Sequence, residues 1–297
     1  SCLQAVITGD TLSLSELTHE YVSVGEVTIH YVTAGQGPPL VLLHGWPETW
    51  FQWRHVIGPL SKHFQIIAPD LRGLGDTTRP SGGYDKRTVS EDVYKLVHDH
   101  LGLKDIYLVG HDWGGPVAFS YAAAHRQAVK RLAILDVTIP GDGTESLSQG
   151  GRRWHHGFHR TKDLPEALVE GREKIYLEWF YRNFSCDPGA IDNDAVTEYL
   201  RTYSQPGALR AGFSYYRAIP QDVEDNQLML KREGKLAIPV LGLGGDSAWA
   251  RGMEVVDSLR RVANNVQGKR IEKCGHFIAE ESPQELTAYL LRFFKEK

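Results

Sequence analysis

The sequence predicts a doubly wound α/β domain, a mostly parallel sheet interrupted by one helical insertion. Three observations carry this. Short all-apolar runs alternate with helical stretches through the first half of the chain. The alternation stops after Asp136 and gives way to a helical, aromatic-rich segment from about Pro140 to Lys235. It then resumes and continues to the last residues.

A hairpin-like opening, Glu20 to Ala34, precedes Pro39-Leu40-Val41-Leu42-Leu43, an apolar run of the kind buried on both faces of a parallel sheet. A helix is expected from Trp50 to Lys62, then a buried strand from Phe64 to Ala68. Helical periodicity returns from Thr88 to His100, with Thr88 and Glu91 spaced as a capping box. The strand Ile106 to Val109, an alanine-rich helix near Gly115 to His125 and the strand Leu132 to Leu135 follow. After the insertion come Ile238 to Leu243 as a strand, a helix from about Met253 to Ala263, and a short strand near Lys269 to Glu272. A final helix opens on Ser282 as N-cap, Pro283 at its first position and Glu285 completing a capping box. The division expected is a core of residues 1–139 and 236–297, with residues 140–235 as a lid. Such a lid would cover the carboxyl ends of the strands, where open α/β sheets bind ligands.

Of the 297 residues, 41% are apolar and 24% charged, ordinary for a globular protein with a substantial core. Thirty-three basic against 37 acidic residues give a net charge of −4, and no basic stripe calls for nucleic acid or an anionic membrane. No apolar run approaches the roughly 18 residues of a membrane span. Cys2, Cys186 and Cys274 are odd in number and far apart, so neither a disulfide framework nor a zinc knuckle is expected. The chain opens Ser1-Cys2, which reads as a processed or trimmed start compatible with a removed signal peptide; cytoplasmic and secreted locations both stay open.

The chemistry centres on Leu108-Val109-Gly110-His111-Asp112-Trp113-Gly114-Gly115, placed between an expected strand and an expected helix. That is the setting of a nucleophile elbow, whose sharp turn needs small residues at Gly110 and Gly114. Alone, the string reads equally as a helix N-cap aspartate. The same chain also supplies His44-Gly45-Trp46-Pro47 after a strand and Gly275-His276-Phe277 before the last helix, in the matching order. Asp112 stands where esterases and lipases carry serine. A serine attacking saturated carbon would leave an ether that cannot be hydrolysed. A carboxylate, with an unperturbed pKa of about 3.9, needs no proton removed and leaves an ester that water can cleave. This selects epoxides or carbon–halogen bonds and disfavours amides and ordinary esters. Hydrolysis of that ester passes through an oxyanion, for which the backbone amides of Trp113 and Trp46 are the expected donors. Pro47 suggests a cis peptide after Trp46.

His276 is the expected general base. Its orienting acid is Asp136 or Asp246, each ending a strand; Asp246 falls one residue short of the usual place counted from Gly244, so Asp136 is preferred. An opened epoxide leaves an alkoxide, suited to a neutral donor such as tyrosine, with a pKa of about 10. Phe213-Ser214-Tyr215-Tyr216-Arg217 and Trp154-His155-His156 offer candidates, although lid aromatics mostly pack on one another. His155 and His159 stand four residues apart, but no carboxylate motif joins them, and neither metal nor cofactor is expected.

These residues resemble the α/β-hydrolase epoxide hydrolases and their dehalogenase relatives. The lid segments Gly171-Arg172-Glu173-Lys174, Leu177-Glu178-Trp179-Phe180 and Phe213-Ser214-Tyr215-Tyr216-Arg217-Ala218 are similar to those of the Cif-like epoxide hydrolases. The resemblance runs from about Tyr21 to the C-terminus. It implies Asp112 as nucleophile, His276 as base, Asp136 as acid, and a ring-opening pair formed by His155 and Tyr216. Ordinary epoxide hydrolases carry two lid tyrosines instead. It also implies a homodimer. The acid of the Cif-like proteins is glutamate, and aspartate here is similar to the fluoroacetate dehalogenases. Those hold the substrate carboxylate with arginines just after the nucleophile, where this chain has Trp113 and Pro116, and their lid order is His-Trp rather than Trp154-His155. Both differences point to a neutral epoxide as substrate, with water as co-substrate. A dehalogenase is the alternative, and a non-catalytic receptor that keeps the hydrolase fold is a third reading.

Overall fold

The computed structural model describes residues 16–145 and 147–296. The chain forms β1 (Thr18–Val24), β2 (Val27–Ala34), β3 (Pro39–Leu43), α1 (Arg54–Ser61), β4 (Gln65–Pro69), α2 (Lys86–Tyr94), β5 (Ile106–His111), α3 (Gly114–Ala124) and β6 (Val129–Leu135). Six helices follow without an intervening strand among the described residues: α4 (Trp154–Arg160), α5 (Leu164–Val169), α6 (Glu173–Asn183), α7 (Asn193–Tyr203), α8 (Ala208–Arg217) and α9 (Ile219–Glu233). The sheet resumes with β7 (Leu236–Gly245), α10 (Glu254–Val262), β8 (Ala263–Ile271), α11 (Ile278–Glu281) and α12 (Pro283–Lys295). The spatial strand order is β1-β2-β4-β3-β5-β6-β7-β8, antiparallel from β1 through β2 to β4 and parallel from there on.

The central strands read as unbroken apolar runs because helices cover both faces. Val41 and Leu43 pack into one apolar layer with α2, α3 and α10, while Leu40 and Leu42 pack into another with α1 and α12. The first layer continues into the insertion through Phe180, Phe213 and Tyr216, so the six helices share the core of the sheet. Tyrosine hydroxyls tie the insertion down: Tyr203 donates to the carbonyl of Glu48 at 2.7 Å and Tyr215 to that of Arg72 at 2.7 Å. The buried Lys86–Asp222 ion pair, at 2.8 Å, joins α2 to α9.

Several expected boundaries move. The helix expected at Thr88 begins two residues earlier, because Asp85 rather than Thr88 is its N-cap: the Asp85 carboxylate accepts from the Thr88 N–H at 3.0 Å. Glu91 bonds His125 instead of closing a capping box. The helix expected from Trp50 begins as a 3-10 turn, Trp50–Trp53, before α1. Ser282 does precede α12 with Pro283 at the first position, yet its side chain makes no capping bond. β8 is longer than expected; it is the sheet edge and mostly exposed, so its sequence lacks the apolar run by which the inner strands are recognised. Cys186 and Cys274 are free thiols, and Cys2 lies outside the described residues. No helix among the described residues is long and apolar enough to cross a membrane.

Asp85→Ala should lower unfolding free energy by about 1 kcal/mol, the usual cost of removing an N-cap carboxylate. Urea denaturation checks this. A larger loss from Thr88→Ala than from Asp85→Ala would return the cap to Thr88.

Candidate active site

Asp112 sits at the turn between β5 and α3 with φ +51°, in the left-handed region that only a tightly constrained turn imposes on a non-glycine residue. Small neighbours make the turn possible. A Cβ on Gly110 would lie 2.1 Å from the carbonyl oxygen of Gly114, and one on Gly45 would lie 2.5 Å from Asp112 Oδ1. The backbone of the β3–α1 loop therefore approaches the aspartate closely. The Trp46 N–H donates to Asp112 Oδ1 at 2.8 Å, and the Trp46–Pro47 peptide is cis. His44 braces this loop, its Nε2 accepting from the Leu71 N–H at 3.0 Å and its Nδ1 donating to the Gly45 carbonyl at 3.0 Å.

The other carboxylate oxygen, Asp112 Oδ2, faces His276 Nε2 at 3.3 Å. His276 Nδ1 donates to Asp136 Oδ2 at 2.6 Å, and Asp136 Oδ1 accepts from the Gly245 N–H at 3.0 Å and the Arg251 N–H at 2.9 Å. Of the two acids weighed from sequence, Asp136 is thus the one in contact with His276. Asp246 is exposed and takes Ser247 Oγ and the Cys274 N–H instead. The base loop is fixed from behind. Glu281 accepts from the N–H groups of Gly275 at 2.9 Å and Phe277 at 2.9 Å, and from that of Cys186 in the insertion at 2.7 Å. The His276 N–H donates to the Phe184 carbonyl at 2.7 Å.

Burial would raise the carboxyl of Asp112, but the hydrogen bond and charge of His276, with smaller help from the Trp113 N–H, hold it well below the ordinary carboxylate range. Burial would likewise lower His276, yet Asp112 and Asp136 together raise it to about 9. In the resting site the imidazole is therefore a cation between two anions. His111, alongside, is neutral: burial and then the charge of His276 lower it to about 4, so its Nε2–H donates to the His276 carbonyl at 2.7 Å.

Across a cavity from Asp112 stand His155 on α4 and Tyr216 on α8, their rings edge-to-face with centroids 5.6 Å apart. Tyr216 also packs edge-on against Trp113 at 5.0 Å. Burial keeps both neutral, raising the phenol well above 10 and, with His156 and His159 adding, lowering the imidazole far below 6.5. His159, weighed from sequence as one half of a metal pair, lies in an aromatic nest of Trp46, Phe213 and Tyr216, and its Nε2 is bonded to the Tyr176 hydroxyl.

His156, within the Trp154-His155-His156 segment singled out from sequence, lines the cavity wall, but sequence reasoning missed two charged residues there: Arg153 and Arg251. The expectation of a cavity without cations rested on Trp113 and Pro116, the positions after the nucleophile. Cations reach it from elsewhere, Arg153 from the start of the insertion and Arg251 from the loop after β7. Neither lies in a motif with Asp112. The only available signal was the Arg152-Arg153 pair directly before Trp154-His155.

The alpha/beta hydrolase fold family model matches residues 38–283. A soluble epoxide hydrolase of Corynebacterium sp. (strain C12) is 40% identical over 292 residues, covering 94% of this chain and 98% of that protein. Among solved structures, wild-type Cfl2 from Burkholderia cenocepacia superposes with a TM-score of 0.88 at 39% identity, covering 94% of this chain and 96% of that one. The epoxide hydrolase CorEH without ligand gives 0.86 at 39% identity, covering 94% and 99%. With the family model matching most of its length and a relative 40% identical over nearly the whole of both chains, the chain belongs to the α/β-hydrolase family.

Proposed function

We propose that this protein is an epoxide hydrolase, opening an epoxide to a vicinal diol through a covalent ester on Asp112. The observation that carries the reading is the division of labour at one carboxylate. Oδ1 is bound by the Trp46 N–H, Oδ2 faces His276, and the residue lines the cavity. The likeness to the Corynebacterium soluble epoxide hydrolase supports the same reaction.

In the first step Asp112 Oδ2 forms a bond to an epoxide carbon as the ring C–O bond breaks. The released oxygen takes a proton from the His155–Tyr216 pair; burial keeps both groups neutral, and the phenol is the stronger candidate because it is a better acid than a neutral imidazole. Esterification cancels the charge on Asp112 and removes one of the two carboxylates that keep the proton on His276. The imidazole then yields that proton, through water, to restore the tyrosine. Now neutral, it takes a proton from a water that attacks the ester carbonyl carbon of Asp112. The oxyanion forms on Oδ1, against the N–H groups of Trp46 and Trp113. Collapse of the tetrahedral species returns the proton to the departing alcohol and frees the diol. Asp136, fixed by two backbone donors, keeps His276 turned toward Asp112. Residues 140–235 serve as the lid that excludes solvent during the two steps. A dehalogenase using the same aspartate is the second reading, and the two buried arginines in the cavity favour it over a receptor without activity.

Epibromohydrin and bromoacetate separate the two reactions: diol from the first is expected, and bromide from bromoacetate without any diol would overturn the epoxide reading. His276→Gln should stop turnover while a mass increase equal to one substrate appears on the Asp112 peptide; an unmodified peptide would refute the covalent route. Tyr216→Phe should slow ring opening by about 100-fold, the ordinary contribution of a positioned acid, and slow decay of the trapped ester far less. The pKa of His276 also links to stability. Because folding raises it from 6.5 to about 9, its stabilising effect is fully present below pH 6.5 and is lost as pH rises through about 9. Scanning calorimetry should therefore show Tm falling more steeply between pH 6.5 and 9.5 in the parent protein than in His276→Gln.

A further inference from the structure

Two guanidinium groups share the cavity with Asp112, and their circumstances differ. Arg251 is 7% exposed and already matched, its Nη1 donating to Glu254 Oε1 at 2.8 Å and its Nη2 to the Leu147 carbonyl. Arg153 is 3% exposed and is not matched. Its Nη2 donates to the Trp249 carbonyl, its guanidinium lies 5.7 Å over the Phe184 ring, and its Nε has no hydrogen-bond partner. Asp136, Glu254 and Asp112 act on it only through space, and none forms an ion pair with it among the described residues. Burial and then Arg251 weaken its hold on its proton, lowering the pKa to about 9. A buried cation with an unmade N–H bond is a costly arrangement unless an anion completes it.

We infer that Arg153, with Arg251 beside it, is the docking subsite for a carboxylate at the non-reacting end of the substrate, which makes the substrate class epoxy acids rather than neutral epoxides. The guanidinium fork fits a carboxylate by two parallel N–H bonds. One unmatched cation calls for a monoanion, which favours a carboxylate over a phosphate dianion. Phe180, Phe184, Phe277 and Val137 line the remaining wall and suit a short apolar linker between the two ends. Arg153 also offsets part of the repulsion that an incoming anion meets from Asp112. This inference rests on the epoxide-opening reading for the reacting end and adds a requirement at the other.

The test compares epoxy acids of four to six carbons with their primary amides, which match them in shape and lack the charge. The parent protein should favour the acid at least tenfold in kcat/KM, chiefly through KM. Arg153→Gln should collapse the acid-over-amide ratio to near one, and Arg153→Lys should restore part of it. A parent that prefers the amide, or an Arg153→Gln variant that loses both substrates in proportion so that the ratio survives, would overturn the subsite and leave Arg153 a structural support. Binding separates the subsite from the reaction. Butyrate should bind Asp112→Asn at least tenfold more tightly than butyramide in titration calorimetry, and this difference should vanish when Arg153→Gln is added. Butyrate preference without diol from any epoxide would refute the reaction while upholding the subsite. Diol from the amides with no butyrate preference would refute the subsite alone.

Discussion

Asp112 and Asp136 are both buried, and one imidazole stands between them. Taking two carboxylates out of water is costly unless each is met by a charge or by N–H donors. Here His276 supplies the charge to both, at 3.3 Å and 2.6 Å, and backbone amides supply the donors: Trp46 to Asp112, Gly245 and Arg251 to Asp136. Those donors come from the loop after β3, the end of β7 and the loop that follows it. The carboxylates come from the ends of β5 and β6, and the imidazole from the loop after β8. A parallel sheet brings all five loops to one edge, and the site is a consequence of that placement.

The same arrangement sets the order of events. While Asp112 is charged, His276 holds its proton. In the proposed mechanism the ester on Asp112 removes that charge, and the proton is released toward the chemistry that needs it. That mechanism couples base strength to the state of Asp112 by electrostatics, with no conformational change required. The insertion closes the opposite side. Its helices share the apolar layer of the sheet, and the carbonyl of Phe184 and the N–H of Cys186 engage the His276 loop directly, so insertion and loop are mechanically joined.

The sequence was legible where local chemistry dictates structure. Unbroken apolar runs marked the inner strands, since burial on both faces leaves no polar alternation. The glycines around Asp112 marked the elbow, since no larger residue fits a turn whose would-be Cβ atoms approach within 2.1 Å of backbone. Those features, with Gly275-His276-Phe277 late in the chain, determined the fold class and pointed to the candidate nucleophile and base. Local signals failed at β8, an exposed edge strand without an apolar run, and at α2, where Asp85 offered a cap two residues ahead of the expected start.

What only the tertiary structure decided concerns residues brought together from distant segments. The contact of Asp136 rather than Asp246 with His276 depends on how far each strand projects past its neighbour, which spacing along one strand does not contain. The cations in the cavity come from the start of the insertion and the loop after β7, and no local motif links them to Asp112. Charge at a site is a sum over everything the fold packs there, so a reading of the positions next to the nucleophile left Arg153 and Arg251 out. The sequence by itself determined the fold class and pointed to the candidate reacting group; the packing of the insertion on the sheet decided the electrostatic surroundings in which that group sits.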